Sequence, residues 1–120
     1  GLYKIDKRKE VLIVEVPLDS LFLENCIAVA GADVPNLDCD FTVVFDNEPR
    51  NKELLKQVEK AINRGHKICL WPEGMEYKDI NDMILGGYTK EEIHDLIKHN
   101  TYQGTTATLW FTKWRKINAQ

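Results

Sequence analysis

The sequence has few cysteines, and their number and spacing exclude the usual cysteine-based sites. Cys26, Cys39 and Cys69 are the three it has, and no two of them form a CxxC pair. A zinc ribbon requires such pairs, and an odd number of cysteines cannot all pair within a disulfide framework. We therefore expect reduced thiols with structural roles, as in a cytoplasmic protein.

Long apolar runs and an excess of basic residues are also absent. No apolar run approaches the roughly 20 residues that a membrane-spanning helix needs, and no signal peptide is visible. Lys and Arg number 16 against 19 Asp and Glu, so the formal net charge is −3. The chain has no overall basic field, so a nucleic acid would have to be held by local basic clusters, a metal ion or a companion domain. We expect no membrane partner.

Glycine-rich phosphate loops of the GxxxxGK[ST] and GxGxxG types are missing as well, which disfavours an ordinary nucleotide-binding fold. With 120 residues, the chain is long enough for one domain with a buried core. It begins with Gly1 rather than Met, and we expect it to be a processed product or a piece of a longer protein.

A central stretch of the sequence joins an apolar run to two acidic residues. Residues 41–45 are mostly apolar or β-branched, as in a buried strand, and Asp46 and Glu48 follow. Alternation along an extended chain directs both carboxylates to the same side of the strand exit. Pro49 is suited to the first position of a helix, which we expect to continue to Arg64.

Alternating apolar runs and amphipathic segments predict an α/β domain. The further predicted elements are a strand at 11–14, a short helix from Pro17, strands at 27–31 and 68–71, a helix at 79–85 and a helix capped by Thr89 and Glu92. The tail at 101–120 fits either a strand or a helix, and a helix is favoured. We therefore expect a mostly parallel central sheet of about four strands with helices on both faces.

Acidic residues follow three of these strands. Glu15 follows the first strand, Asp46 and Glu48 follow the central one, and Asp79 lies after the loop beyond Trp71. Parallel strands place their carboxyl ends along one edge, where α/β proteins bind ligands. Carboxylates gathered there repel one another unless a cation neutralises them. The pattern predicts a site for Mg²⁺, with Mn²⁺ as a substitute; the alternative is that these acids are solvated or cap the following helices.

Basic residues lie beside the predicted acidic site. Arg50, Lys52 and Lys78 are suited to binding phosphate oxygens. Acids and cations in this arrangement are typical of metal-assisted phosphoryl or nucleotidyl transfer, or of phosphodiester hydrolysis.

Three segments together resemble the Toprim domain in their order and spacing. They are residues 11–19 (VLIVEVPLD), 43–48 (VVFDNE) and 78–82 (KDIND). Toprim domains occur in bacterial-type primases, topoisomerases and some nucleases and recombination proteins. Their pattern is a strand-end Glu, usually followed by Gly, and later an acidic DxD pair after another strand.

Longer segments are similar to the DNA primases of T-even-type bacteriophages, namely 15–23 (EVPLDSLFL), 45–52 (FDNEPRNK) and 78–84 (KDINDMI). The resemblance implies a charged lead-in at 1–10, a Toprim domain at 11–100 and a C-terminal extension at 101–120, packed on the domain or following it. It also implies location in the host cytoplasm.

The resemblance implies a role for each matching acid. Glu15 would be the catalytic glutamate, acting as general base or metal ligand, and Asp46 and Glu48 would hold the Mg²⁺ that binds the phosphates of the incoming nucleotide. Asp79 would be a secondary acid near the metal, and Lys78 would steady phosphate. The implied reaction is attack of a ribonucleotide 3′-hydroxyl on the α-phosphate of a nucleoside triphosphate, which makes an RNA primer on single-stranded DNA.

Two residues depart from the Toprim pattern. Val16 stands where the family usually has Gly, and a β-branched side chain there puts activity in doubt. Glu48 makes the acidic pair Asp-x-Glu, which keeps the charge and lengthens one arm.

A primase of this type also needs a zinc ribbon and a basic region for the template, so we expect a replicative helicase or a companion primase domain as partner. The tail offers one basic and aromatic cluster, Lys113, Trp114, Arg115 and Lys116, which would either contact single-stranded nucleic acid or pack as a helix with its charges in solvent. The alternatives to a primase are a small Toprim nuclease and a catalytically impaired Toprim module that binds a replisome partner.

Overall fold

The computed structural model describes residues 6, 8–15, 19, 22–28 and 38–117. Within these residues the chain forms five strands: β1 Val11–Val14, β2 Cys26–Ala28, β3 Phe41–Val44, β4 Lys67–Cys69 and β5 Thr101–Tyr102. It also forms the helices α1 Lys52–Asn63, α2 Ile80–Leu85, α3 Lys90–His99 and α4 Gly104–Ile117.

The strands form one sheet in the order β2-β1-β3-β4-β5. The first four are parallel, with Val14 paired to Val44 and Val44 paired to Cys69. The fifth is antiparallel to β4. This confirms the predicted α/β class and fits a Toprim-like fold. The sheet has one strand more than expected. The additional strand, β5, is only two residues long, and so short a strand gives no periodic signal in the sequence.

Alternating side chains along the strands enter two separate apolar cores, one on each face of the sheet. Val44 and Cys69 pack with α2 and α3 on one face, whereas Val43 and Ile68 pack with α1 and α4 on the other. Every residue of β1 is buried, as expected for a strand covered on both sides. Helices therefore lie on both faces, as predicted.

Helix α1 begins later than the sequence suggested. Pro49 is buried in a turn before the helix, so the prediction that it starts the helix is wrong. Asn51 is the N-cap, and its side chain accepts a hydrogen bond from the Leu54 amide at 3.1 Å. An Asn at this position satisfies an amide that would otherwise lack an acceptor, and it therefore fixes the first turn.

The capping box of α3 is confirmed. The Thr89 hydroxyl accepts from the Glu92 amide at 3.1 Å, and the Glu92 carboxylate accepts from the Thr89 amide at 2.9 Å. The predicted strand at 68–71 is shorter than expected, since β4 ends at Cys69. Beyond it, the Leu70 amide donates to the Asn100 carbonyl at 3.2 Å.

The tail adopts the favoured helical form. Ala107, Phe111 and Trp114 lie on the buried face of α4, and the Trp110 indole donates to the Leu70 carbonyl at 3.2 Å. Residues 17, 18, 20 and 21 of the predicted helix from Pro17 lie outside the described residues, as does the end of the strand predicted at 27–31. Residues 22–25, where that helix was expected to end, form a turn and bends instead of a helix. Of the helices in the described ranges, none is long and apolar enough to cross a membrane.

Replacing Thr89 by Ala should lower the free energy of unfolding by about 1 kcal/mol, because the Glu92 amide loses its acceptor at the start of α3. Chemical denaturation monitored by circular dichroism measures this. Thr112→Ala is the control: Thr112 is exposed in the interior of α4, where Ala is the better helix former, so stability should stay the same or rise slightly. Equal losses in both variants would contradict the capping role.

Candidate functional site

The acids predicted from the strand ends surround Asp46 at the carboxyl edge of the sheet. Asp46 is half-buried, one residue beyond the buried Phe45. Burial is the largest cause that raises the pKa of its carboxyl from 3.8 to about 7, and the negative charges of Asp19, Glu15, Asp79 and Glu48 contribute to the same shift in that order. The structure therefore brings together all four acids that the sequence predicted for this site.

Asp19 is a fifth acid in this cluster, and it was not among the predicted site residues. Its side chain is only 2% exposed and accepts a hydrogen bond from the Asn81 amide at 3.0 Å. Burial raises the pKa of Asp19, as do the charges of Asp79 and Asp82, while the hydrogen bond from Asn81 opposes the shift. The sequence signal for Asp19 was its place in the same segment as Glu15, four residues further on.

Asp79 has two roles in the structure. It is the N-cap of α2, where its carboxylate accepts from the Asp82 amide at 2.8 Å. The alternative that a strand-end acid caps the following helix is therefore correct for Asp79. Its charge nevertheless acts on Asp46, so the cap also contributes to the acidic cluster.

The loop that carries Lys78 and Asp79 is attached to the exit of β3 by Asn47. The Asn47 side-chain amide donates to the carbonyls of Met75 at 2.8 Å and Tyr77 at 3.1 Å. The backbone amide of Asn47 donates to the Lys78 carbonyl at 2.6 Å. Sequence reasoning gave Asn47 no role, because nothing local distinguishes it from an ordinary loop asparagine.

The predicted phosphate-binding residues Arg50, Lys52 and Lys78 are all exposed. Arg50 lies in the turn between β3 and α1, and Lys52 is the first residue of α1. Lys78 directly precedes the cap residue Asp79. All three have solvent-accessible side chains. Arg50 and Lys78 lie on segments that also carry clustered acids, whereas Lys52 begins the helix that follows.

The acidic cluster is open rather than a closed metal cage. In the described part of the chain, no group of three or more Asp, Glu, His or Cys side chains is arranged to hold a metal ion directly. Mg²⁺ commonly takes only one or two protein carboxylates and completes its shell with water and substrate phosphates. The donor set of oxygen ligands with concentrated negative charge fits such a cation. Val16, whose β-branched side chain put activity in doubt, lies outside the described residues.

The basic and aromatic cluster of the tail is divided by the fold. Trp114 is 2% exposed within the core formed by α1, α4 and the sheet, so of the two alternatives for this residue the structure shows packing in a helix and not contact with nucleic acid. Lys113, Arg115 and Lys116 are exposed. The Lys113 ammonium lies 5.8 Å from the ring centre of Trp110, and the Arg115 guanidinium lies 5.1 Å from that of Phe111. These three cations are available for an anionic partner, whereas the indole of Trp114 is not.

No protein-family model matches the chain. Among curated proteins, the chain is similar to the DNA primase of Enterobacteria phage T4, with 36% identity over 124 residues. The aligned region covers 97% of this chain and 36% of the phage protein. The chain is therefore similar to part of a phage DNA primase, and it spans about a third of the length of the curated relative that it matches.

Replacing Asp46 by Asn should stabilise the domain at alkaline pH and leave it nearly unchanged at acidic pH. The folded-state pKa of about 7 lies above the ordinary 3.8, so the native state binds more protons between these values and loses stability as the pH rises through them. The slope from this carboxyl is at most about 1.4 kcal/mol per pH unit.

Denaturation of parent and Asp46→Asn at about pH 5 and about pH 8 isolates this carboxyl, because contributions from His66, His94 and Glu10 are common to both proteins. The difference in unfolding free energy should favour the variant and grow with pH. A difference that is independent of pH would contradict the raised pKa of Asp46.

Trp114→Ala should destabilise the domain by about 3–5 kcal/mol, because it leaves a large cavity between α4 and the sheet. Lys113→Ala, at the exposed neighbour, should change stability by no more than about 0.5 kcal/mol. Thermal denaturation of both variants measures this. If the Trp114 variant kept its stability but lost affinity for single-stranded DNA, Trp114 would have to contact nucleic acid after all.

Proposed function

We propose that this chain is the Toprim catalytic part of a phage-type DNA primase. In this proposal it carries out Mg²⁺-dependent nucleotidyl transfer that makes RNA primers on single-stranded DNA, and it needs further domains for activity. The observation that carries the proposal is the convergence of carboxylates around Asp46 in a primase-related chain. The T4 DNA primase is about three times as long as the region aligned here, which supports a need for further domains.

One or two of the carboxylates of Glu15, Asp46, Glu48 and Asp79 would bind the Mg²⁺ directly, and the others would act on it through water molecules and by their charge. The raised pKa of Asp46 supports this assignment, because carboxylates crowded by like charges gain most from a nearby cation. When bound, the metal would neutralise charge on the triphosphate and on the departing pyrophosphate. Asp19 would add negative charge to the cluster while remaining hydrogen-bonded to the Asn81 amide.

Other residues of the site would bind and orient the substrates. Arg50, Lys52 and Lys78 would contact phosphate oxygens of the incoming nucleoside triphosphate. Glu15 would accept the proton of the attacking 3′-hydroxyl, which a carboxylate can do only if it lies within hydrogen-bond reach of that hydroxyl. The hydroxyl oxygen then forms a bond to the α-phosphorus while pyrophosphate leaves.

Single-stranded DNA would be held partly by the layer of helices α1 and α4. Helix α1 carries three lysines and two glutamates, and α4 carries Lys113, Arg115 and Lys116 with no acidic residue. The layer is thus basic although the whole chain has a net charge of −3. Contacts of this kind would bind the phosphate backbone without reading sequence. A replicative helicase or a companion primase domain would supply template recognition.

Saturable binding of Mg²⁺ or Mn²⁺ should be lost in the double variant Asp46→Ala/Glu48→Ala. Isothermal titration calorimetry, with and without a nucleoside triphosphate, measures the binding. The control is Glu53→Ala/Glu59→Ala, which removes two exposed acids from α1 and should bind the metal as the parent does. Primer synthesis from labelled ribonucleoside triphosphates, with companion domains supplied, should follow the same pattern.

Two outcomes would replace the proposal. DNA cleavage that needs the same acids but no triphosphate would favour the metal-dependent nuclease. Absence of metal binding both with and without triphosphate would favour a catalytically impaired module that binds a replisome partner.

A further inference from the structure

The segment from Pro72 to Asp79 brings one of the clustered acids to the site without forming a helix or strand. It contains one tight turn, in which the Met75 amide donates to the Pro72 carbonyl at 3.2 Å. Gly74 occupies the left-handed region of this turn with φ of +94°, which a glycine adopts without strain. Since the segment has no ladder of backbone hydrogen bonds, its position depends on contacts made by other parts of the chain.

Asn47 supplies three of those contacts, and it lies between Asp46 and Glu48. Its side-chain nitrogen is 2.8 Å from the Met75 carbonyl oxygen and 3.1 Å from that of Tyr77. Its backbone nitrogen is 2.6 Å from the Lys78 carbonyl oxygen. The residue that separates the two predicted metal ligands after β3 therefore also binds the segment that carries another predicted ligand, Asp79.

The contacts require the chemistry of a primary amide. The two hydrogens of the Asn47 side-chain nitrogen reach two different carbonyl oxygens, and both of these oxygens can only accept. Aspartate has the same shape, but an ionised carboxylate has no hydrogen to donate. At position 47 it would place oxygen against oxygen and release both bonds.

A second anchor holds the same segment from the side of α2. The Tyr77 ring lies so close to Gly86 that a Cβ added at Gly86 would be 2.3 Å from the ring. The same ring contacts Tyr88 edge to face, with ring centres 6.1 Å apart. With Tyr77 fixed on one side and Asp79 capping α2, the bonds from Asn47 determine how close the segment lies to β3.

We propose that Asn47 is a positioning residue, which holds the segment from Pro72 to Asp79 so that Asp79 stays within the carboxylate cluster. The proposal rests on the proposed function in treating that cluster as a cation site. In this proposal Asn47 acts on the cation through the segment that it holds.

An effect of charge alone and a loss of positioning would change the cation affinity of Asn47→Asp in opposite directions. The substitution adds a negative charge between Asp46 and Glu48, and charge alone would tighten the binding of a divalent cation. Loss of positioning would weaken it, because partners that orient ligands typically contribute about 10–100-fold to metal affinity. We expect Mn²⁺ affinity to fall by about this factor. Asn63→Asp, an exposed change of the same kind at the end of α1, should leave the affinity unchanged.

The experiment combines calorimetric Mn²⁺ titration with amide hydrogen exchange measured by NMR, at a temperature where each variant is folded. The amide proton of residue 47 is the local probe, since its acceptor is the Lys78 carbonyl. In Asn47→Asp we expect its exchange to accelerate more than that of the α1 amides, together with the weakened Mn²⁺ binding. Unchanged exchange with equal or tighter Mn²⁺ binding would overturn the proposal.

Two further measurements cover the cases in which Asn47→Asp does not fold or the parent binds no Mn²⁺. If Asn47→Asp does not fold, Asn47→Ser replaces it, and the same weakened affinity and local acceleration are expected without the added charge. If the parent binds no Mn²⁺ with or without a triphosphate, the proposed function fails. The exchange comparison of Asn47→Asp with Asn63→Asp then decides the positioning role by itself, since equal exchange at residue 47 would overturn it.

Discussion

Repulsion among carboxylates at one edge of a parallel sheet is the constraint on which the site depends. Pairing of Val14 with Val44 sets the ends of β1 and β3 side by side, so that Glu15 and Asp46 must lie near each other. Burial and the resulting charge together oppose ionisation of Asp46, whose pKa rises to about 7. A domain optimised only for stability would not gather these acids, and their cost to folding is typical of functional sites.

The rest of the fold compensates for this edge by apolar packing and by caps. Two cores, one on each face of the sheet, bury the helices α1 to α4 against the strands. At the edge itself, the structure uses hydrogen bonds rather than apolar contact: Asn81 donates to Asp19, Asp82 donates to Asp79, and Asn47 donates to the loop beyond β4. Asp19 and Asp79 are thereby fixed by backbone amides, and the loop that carries Asp79 is fixed by one amide side chain.

Much of this arrangement could be predicted from the sequence, because buried parallel strands and amphipathic helices have strong periodic signals. The acids at 15, 46, 48 and 79 were predicted from strand ends alone, and the structure brings them together. What escaped prediction was non-local. Strand β5 is only two residues long, and Asn47 binds a loop about thirty residues away in the sequence. Only the structure shows that Trp114 lies in the core, where it cannot contact nucleic acid. The prediction that Pro49 starts the helix was wrong because a proline suits a turn as well as the first position of a helix.

The most direct test of the account is the pKa of the Asp46 carboxyl, measured by carbon-13 NMR with and without Mg²⁺. We expect a value of about 7 in the absence of metal. We also expect this pKa to fall clearly when Mg²⁺ is added, because a cation among the carboxylates favours their ionised form. A value near the ordinary 3.8 that Mg²⁺ leaves unchanged would contradict both the crowding of charge at this edge and its use as a cation site.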